Sequence, residues 1–360
     1  MYNSITLKQC ADLIAAVGDK QTVLVQGEMG IGKSAILKML KSYPQFKDAF
    51  FCYVDITTKD VGDFIVPKIR TIDGNEVCSF IPNEEFGFHF KGRKVVMMLD
   101  EIGKARGGVM NACLRLMNER GLGVDQLSEG SVVFGTTNLS VEGLGDNVPP
   151  HALNRVTRVR VKKSDAPTWI EDYAIPMGIN PVIIGTVAEY PEMFASFEDY
   201  EKPEQNMYIN DPRDVRMAVV TPRSLEASSD VINDTMILGN DIMCHALKGT
   251  VGEKAMHNML TMVTLDTQLT SWDDLIKAPT TAVVPTSAAA ACMLIAKAVQ
   301  RIEKATMNAW MEFLPRMSKE SQGLFARSVM SDMCPKRTVA ATNPMFAKWA
   351  ADNNYLFARK

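Results

Sequence analysis

Hydrophobic and polar positions divide the chain into a first part, in which strand and helix patterns alternate, and a second part, in which helical patterns run alone. Residues 6–17 carry apolar side chains at 7, 10, 11, 13, 14 and 17, the spacing of one helix face, with Thr6 placed as N-cap. Short apolar runs follow at 22–26, 50–55, 95–99 and 131–137, each suited to a strand buried on both faces. Helical spacing returns after Ala35 and again over 105–119. Residues 156–161 alternate as a half-exposed strand, with Arg158, Arg160 and Lys162 on one face. Turns at Asp73-Gly74 and Lys91-Gly92, with the alternation Phe86, Phe88, Phe90, predict a hairpin near 71–92. A second hairpin is predicted at 121–130.

From Ser164 onward the strand patterns stop. Helices are predicted over 165–177 and 181–190, capped by Ser164 and Asn180, and the polar stretch 196–216 reads as a connecting loop. Thr221-Pro222-Arg223-Ser224 has the form of a helix start, which puts Arg223 in a first turn. A short helix is also expected at 149–155. Residues 251–360 read as helical with interruptions at 278–285 and 334–343, and their strongest piece is the Ala-rich 288–303, capped by Thr286 or Ser287.

Composition narrows the class. The chain has 360 residues, 46% hydrophobic and 22% charged, with a net charge of -3, so a buried core is expected and bulk nucleic-acid binding has no support. The arginine face at 158–162 is ordinary protection for an edge strand, with a local nucleic-acid contact as its alternative. Seven cysteines without a C-x-x-C pair read as buried free thiols, and the 23 methionines as core filling more than binding surface. No stretch reads as a signal peptide or a membrane span, so a cytoplasmic protein with no membrane partner is expected.

The chemistry gathers in a few places. Gly27-Glu28-Met29-Gly30-Ile31-Gly32-Lys33-Ser34 joins the 22–26 strand to the following helix and spells G-x-x-x-x-G-K-S. Such a P-loop turns backbone N–H groups inward around phosphate oxygens; Lys33 would reach the β and γ phosphates and Ser34 would hold Mg²⁺. The 95–99 strand ends in Asp100-Glu101, an Asp for the metal shell and a Glu to polarise water, or else simple caps for the next segment of chain. Asn138 ends the 131–137 strand near the same edge, as a group that orients water or as a turn former.

Together these segments resemble the AAA+ ATPases, and within them the MoxR-like group of the helix-2-insert clade, over roughly residues 5–240. Walker A is Gly27 to Ser34, Walker B is Val95 to Glu101, and Thr136-Thr137-Asn138 is similar to a sensor 1 strand end. Residues 148–155 are similar to the arginine-finger segment, with Arg155, Arg158 or Arg160 as the finger, and Thr221-Pro222-Arg223-Ser224 to sensor 2. The resemblance implies an α/β fold with a five-stranded parallel sheet in 5-1-4-3-2 order and helices on both faces. An all-α lid and a C-terminal helical extension follow, giving domains at 1–163, 164–250 and 251–360. It implies ATP and Mg²⁺ as cofactors and a homo-oligomeric ring, usually a hexamer, that remodels or chaperones a protein client. A von Willebrand A domain protein is the client type it suggests, and the two hairpins correspond to pore-facing elements of the group. The expected catalytic set is Lys33, Glu101, Asn138, Arg155 and Arg223, with Ser34 and Asp100 on the metal. An AAA+ nucleic-acid motor or loader, and a scaffold that binds ATP with little turnover, stand as alternatives.

Overall fold

The computed structural model describes residues 4–139, 148, 154–214, 216–235 and 239–358. It divides into two compact units, Met1–Lys163 and Ser164–Lys360.

The first unit is built on a five-stranded parallel sheet. In chain order its strands are β1 (Val23–Gln26), β2 (Phe50–Asp55), β5 (Val95–Asp100), β8 (Val132–Thr137) and β9 (Thr157–Arg160). Across the sheet they run β2-β5-β8-β1-β9. Renumbered within the sheet, that is the expected 5-1-4-3-2 order. The near-continuous apolar runs follow from burial on both faces. Val95, Met97 and Leu99 of β5 pack in one core with Val109, Cys113 and Leu116 of the helix Gly107–Glu119. Val96 and Met98 pack in another with Cys10 and Ile14 of α1 (Leu7–Val17) and Ile36 and Leu40 of α2 (Ala35–Leu40). A capping box starts α1: Gln9 N donates to Thr6 Oγ1 at 3.1 Å and Thr6 N donates to Gln9 Oε1 at 2.9 Å.

Two hairpins leave this sheet. β3 (Ile65–Ile72) pairs antiparallel with β4 (Asn75–Pro82) about the predicted Asp73-Gly74 turn. Its arms therefore cover 65–82, a correction to the 71–92 expected. The phenylalanine alternation beyond it is not a strand: Phe86 closes a 3-10 turn and stacks on Phe64 at 5.2 Å, while Phe90 packs on Phe50 at 4.8 Å. Ring packing fixes these side chains where a ladder was predicted. The second hairpin is minimal, β6 (Gly121–Leu122) with β7 (Asp125–Gln126).

The second unit is helical. Its central helix, Ala288–Arg301, is capped by Ser287 and packs against the helix Pro181–Glu189. At Gly185 any Cβ would lie 2.5 Å from the side chain of Met293, so a larger residue there would have to displace it. Helices on both sides of residue 250 therefore share one unit. The first helix of the unit starts one residue later than expected, because Asp165 and not Ser164 supplies the cap, accepting from Thr168 N at 2.8 Å. It is also short, Ala166–Trp169, and passes into a π turn over Ile170–Ala174. A one-turn helix, Arg337–Ala341, occupies the expected interruption at 334–343. Among the described residues no helix is long and apolar enough to cross a membrane. Met243, Met259, Met293 and Met307 are buried as core filling, and Cys10, Cys52, Cys113 and Cys334 are buried too. Cys78 is exposed on β4, against the expectation of burial.

Candidate functional site

Because all five strands are parallel, their C-terminal ends meet at one edge, where open α/β sheets place ligands. Register fixes what stands there. Asp55 lies opposite Asp100, Leu99 opposite Gly135, Gln26 opposite Thr137, and Gln26 again opposite Arg160.

The loop from Gly27 to Ser34 leaves β1 at this edge. Gly30 and Gly32 have φ of 75° and 91°, a left-handed backbone that side-chain-bearing residues rarely adopt, so the loop depends on glycine at both places. Lys33 is buried, and its ammonium donates to Gly27 O at 2.8 Å, Glu28 O at 2.9 Å and Asn138 Oδ1 at 2.8 Å. The lysine thus curls back under its own loop and ties it to the end of β8. Ser34 is half-buried and its hydroxyl makes no capping hydrogen bond at the start of α2.

The carboxylates are held differently. Asp100 Oδ2 accepts from the hydroxyl of Tyr53 at 2.7 Å, and Oδ1 accepts from the hydroxyl of Thr136. Glu101 has a left-handed backbone, φ 54° and ψ 42°. Its N–H donates to Thr136 Oγ1 at 3.2 Å, and its carboxylate pairs with Lys104. Thr136 and Thr137 are fully buried and Asn138 nearly so. The structure therefore brings Lys33, Asp100, Glu101 and Asn138 together through the end of β8.

The arginines are spread out. Arg155 is exposed in a turn ahead of β9, its carbonyl accepting from Gln21 Nε2 at 3.1 Å. That is the N-terminal edge of the sheet, separated from the loop by the length of β9, about 13 Å for four residues at ~3.3 Å each. Arg158 pairs with Leu24 in mid-strand, and Arg160 stands at the loop end of β9. Arg223 is exposed in the first turn of the helix Pro222–Thr235, in the second unit. The expected short helix at 149–155 falls mostly outside the described residues; Asn154 and Arg155 form a turn.

Sequence reasoning missed Tyr53, Thr136 as a bridge, and Lys104. Tyr53 reads as one more apolar residue of a buried strand, although it is half exposed. Only for Lys104 was there a signal, a base three residues after a carboxylate.

No protein-family model matches the chain, and no curated protein is similar to it. Similar solved structures include NtrX from Brucella abortus in complex with ATP, at 12% identity and a TM-score of 0.33, covering 99% of this chain and 70% of that one. The same protein in complex with ADP aligns at 14% identity and a TM-score of 0.35, over 98% and 68% of the two chains. A RuvB mutant from Thermotoga maritima aligns at 12% identity and a TM-score of 0.35, over 76% and 75%. The fold reading rests on this chain's own strand order.

Proposed function

We propose that this chain is a Mg²⁺-dependent ATPase of the AAA+ class, of the MoxR-like group, working as a ring on a protein client. One observation carries the reading: a buried Lys33 under a glycine loop, bonded to Asn138, at the same sheet edge as Asp100 and Glu101.

The residues fit a nucleotide and its metal. The loop has the left-handed glycines that close approach of phosphate to backbone requires. Ser34 has a hydroxyl not spent on capping, and Asp100 has one donor on each oxygen, which leaves acceptor capacity on both. When bound, Mg²⁺ supplies positive charge to the β and γ phosphate oxygens. Ser34 and Asp100 would hold it. Lys33 would exchange its two loop carbonyls for phosphate oxygens, a charge-assisted replacement. Glu101 would turn from Lys104 to polarise water, with Asn138 orienting that water.

Arg155 stands at the far edge of the sheet from its own loop, which supports delivery to a neighbouring subunit and so a shared site. Arg160, at the loop end of β9, suits that role less. In this reading Arg223 senses nucleotide from a lid spanning 164–250, and 251–360, packed into the same unit, is an extension specific to the assembly or its partner. The Glu101–Lys104 ion pair favours a second reading, a scaffold that binds ATP and turns it over little.

Steady-state phosphate release from wild type and Glu101→Gln decides between them. Turnover lost in the variant supports the ATPase; near-normal turnover in the variant sinks the catalytic assignment, and negligible turnover in the wild type selects the scaffold. Mixing Arg155→Ala with Lys33→Ala subunits tests the shared site, since a trans-acting arginine gives partial rescue at mixed interfaces.

A further inference from the structure

We propose that Thr136 is a positioning residue that sets the metal-holding and water-polarising carboxylate residues as one unit. The proposal rests on the ATPase reading above. A hydroxyl has one proton to donate and two lone pairs to accept with. Thr136 uses both capacities on consecutive residues of the neighbouring strand end: it donates to Asp100 Oδ1 and accepts from the N–H of Glu101 at 3.2 Å. It does so with no solvent exposure of its own, although Asp100 and Glu101 are themselves half-buried.

The two bonds have different consequences. The one to Asp100 acts with the Tyr53 hydroxyl on Oδ2, giving each carboxylate oxygen its own donor and fixing the plane of the group. The one to Glu101 fastens a backbone held at φ 54°, where a non-glycine residue is otherwise disfavoured. That conformation aims the Glu101 side chain, and the ion pair with Lys104 then holds its carboxylate. Rotation of one buried side chain would release both. A β-strand leaves its own carbonyls in the ladders to its neighbours, so a buried strand hydroxyl must find its partners on another segment. Here those partners are the two acidic residues.

The test uses the full chain with Thr136→Val, which keeps the shape and removes the hydroxyl, and Thr136→Ser, which restores it. Thr136→Ala replaces the valine variant should that one fail to fold. Without nucleotide, amide hydrogen exchange at Glu101 should be at least about tenfold faster in Thr136→Val and near wild type in Thr136→Ser. Mn²⁺ half-saturation, read by electron paramagnetic resonance with a non-hydrolysable ATP analogue, should rise about tenfold in the valine variant, as for lost support of a metal ligand. Affinity for the metal-free analogue should stay within about twofold, as a ligand-orienting role requires. Tyr53→Phe should give a smaller rise with unchanged exchange at Glu101. Wild-type exchange and wild-type Mn²⁺ half-saturation in Thr136→Val would overturn the proposal while leaving the ATPase reading intact. A wild-type chain that releases no phosphate from ATP would overturn that reading, and with it the role given to Thr136.

Discussion

Lys33 Nζ donates to Asn138 Oδ1 across 2.8 Å, joining residues 105 positions apart. The bond makes the end of β8 part of the loop that follows β1. Two substitutions separate its consequences. Asn138→Ala removes an orienting amide but leaves Lys33 its two carbonyl partners. Nucleotide affinity should change little, while turnover falls about 10- to 100-fold, the cost of a misplaced reactant. Asn138→Asp puts an anion beside the ammonium, which would compete with phosphate, so affinity itself should fall by roughly tenfold or more. Titration with a fluorescent ATP analogue, set beside phosphate release, distinguishes the two. An alanine variant that turns over normally would remove Asn138 from the site.

Glu101 stores strain. A left-handed backbone at a residue other than glycine costs of order 1–3 kcal/mol, partly offset here by the Thr136 hydrogen bond and the Lys104 pair. Glu101→Gly should therefore stabilise the first unit by about 0.5–1 kcal/mol, after allowing for glycine's larger chain entropy. The same change should lower turnover by a factor of about 10² or more, the usual contribution of a positioned acid or base. Calorimetry and phosphate release together check the trade. A variant both destabilised and active would contradict the strain and the catalytic role at once.

The strands and the loop were legible because both are written in short-range pattern, whereas the order of the strands across the sheet came only from the resemblance to the AAA+ ATPases. Buried parallel strands show as unbroken apolar runs such as 95–99, and a phosphate loop has its glycines and lysine at fixed spacing. Thr136 and Asn138 were visible as polar residues ending such a run. The bonds they make were not, because each crosses to a segment 35 or more positions away. Tyr53 had no signal, since nothing in a strand sequence tells which tyrosine has its hydroxyl beside a carboxylate two positions beyond its own register partner, Met98. Asp165 displaced Ser164 as a cap because both residue types suit the role and only geometry chooses.

Cysteine reactivity should follow burial. Burial pushes the thiols of Cys10, Cys52 and Cys113 up to about 12. At pH 7.5 such a thiol is thiolate to roughly one part in 30,000, too little to alkylate at an appreciable rate. Cys78, exposed on β4, has no such barrier of access. Brief treatment of the native protein with iodoacetamide should label Cys78 first and leave those three unlabelled, whereas denatured protein should take up label at all seven cysteines. Peptide mass spectrometry gives the order directly. Early labelling of Cys52 would mean that the β2 side of the core opens readily.

Acid should loosen the second unit through one ion pair. Asp211 is buried, and the guanidinium of Arg213 grips it with two bonds, Nε to Oδ1 at 2.8 Å and Nη2 to Oδ2 at 2.6 Å. The same guanidinium donates to the carbonyls of Glu201 and Tyr200, at 2.8 and 3.0 Å, so it also pins the irregular stretch ahead of it. These hydrogen bonds hold the Asp211 carboxyl below its ordinary value. A carboxylate depressed in the folded state binds fewer protons there than in the unfolded chain. Its stabilisation is therefore complete above the unfolded value of about 3.9 and is lost as pH falls through the lower folded value. All four tryptophans, Trp169, Trp272, Trp310 and Trp349, lie in the second unit, so tryptophan emission, excited selectively over that of Tyr43 and Tyr53 in the first unit, reports on it. The urea midpoint followed by fluorescence should stay level from pH 7 to about pH 5 as far as this pair is concerned, and drop toward pH 3. Arg213→Gln should lower the midpoint at pH 7, because it leaves a buried carboxylate without its charged donor, and should flatten the fall toward pH 3. A variant whose midpoint falls toward pH 3 as steeply as wild type would show that other carboxylates, and not Asp211, set the acid limit of this unit.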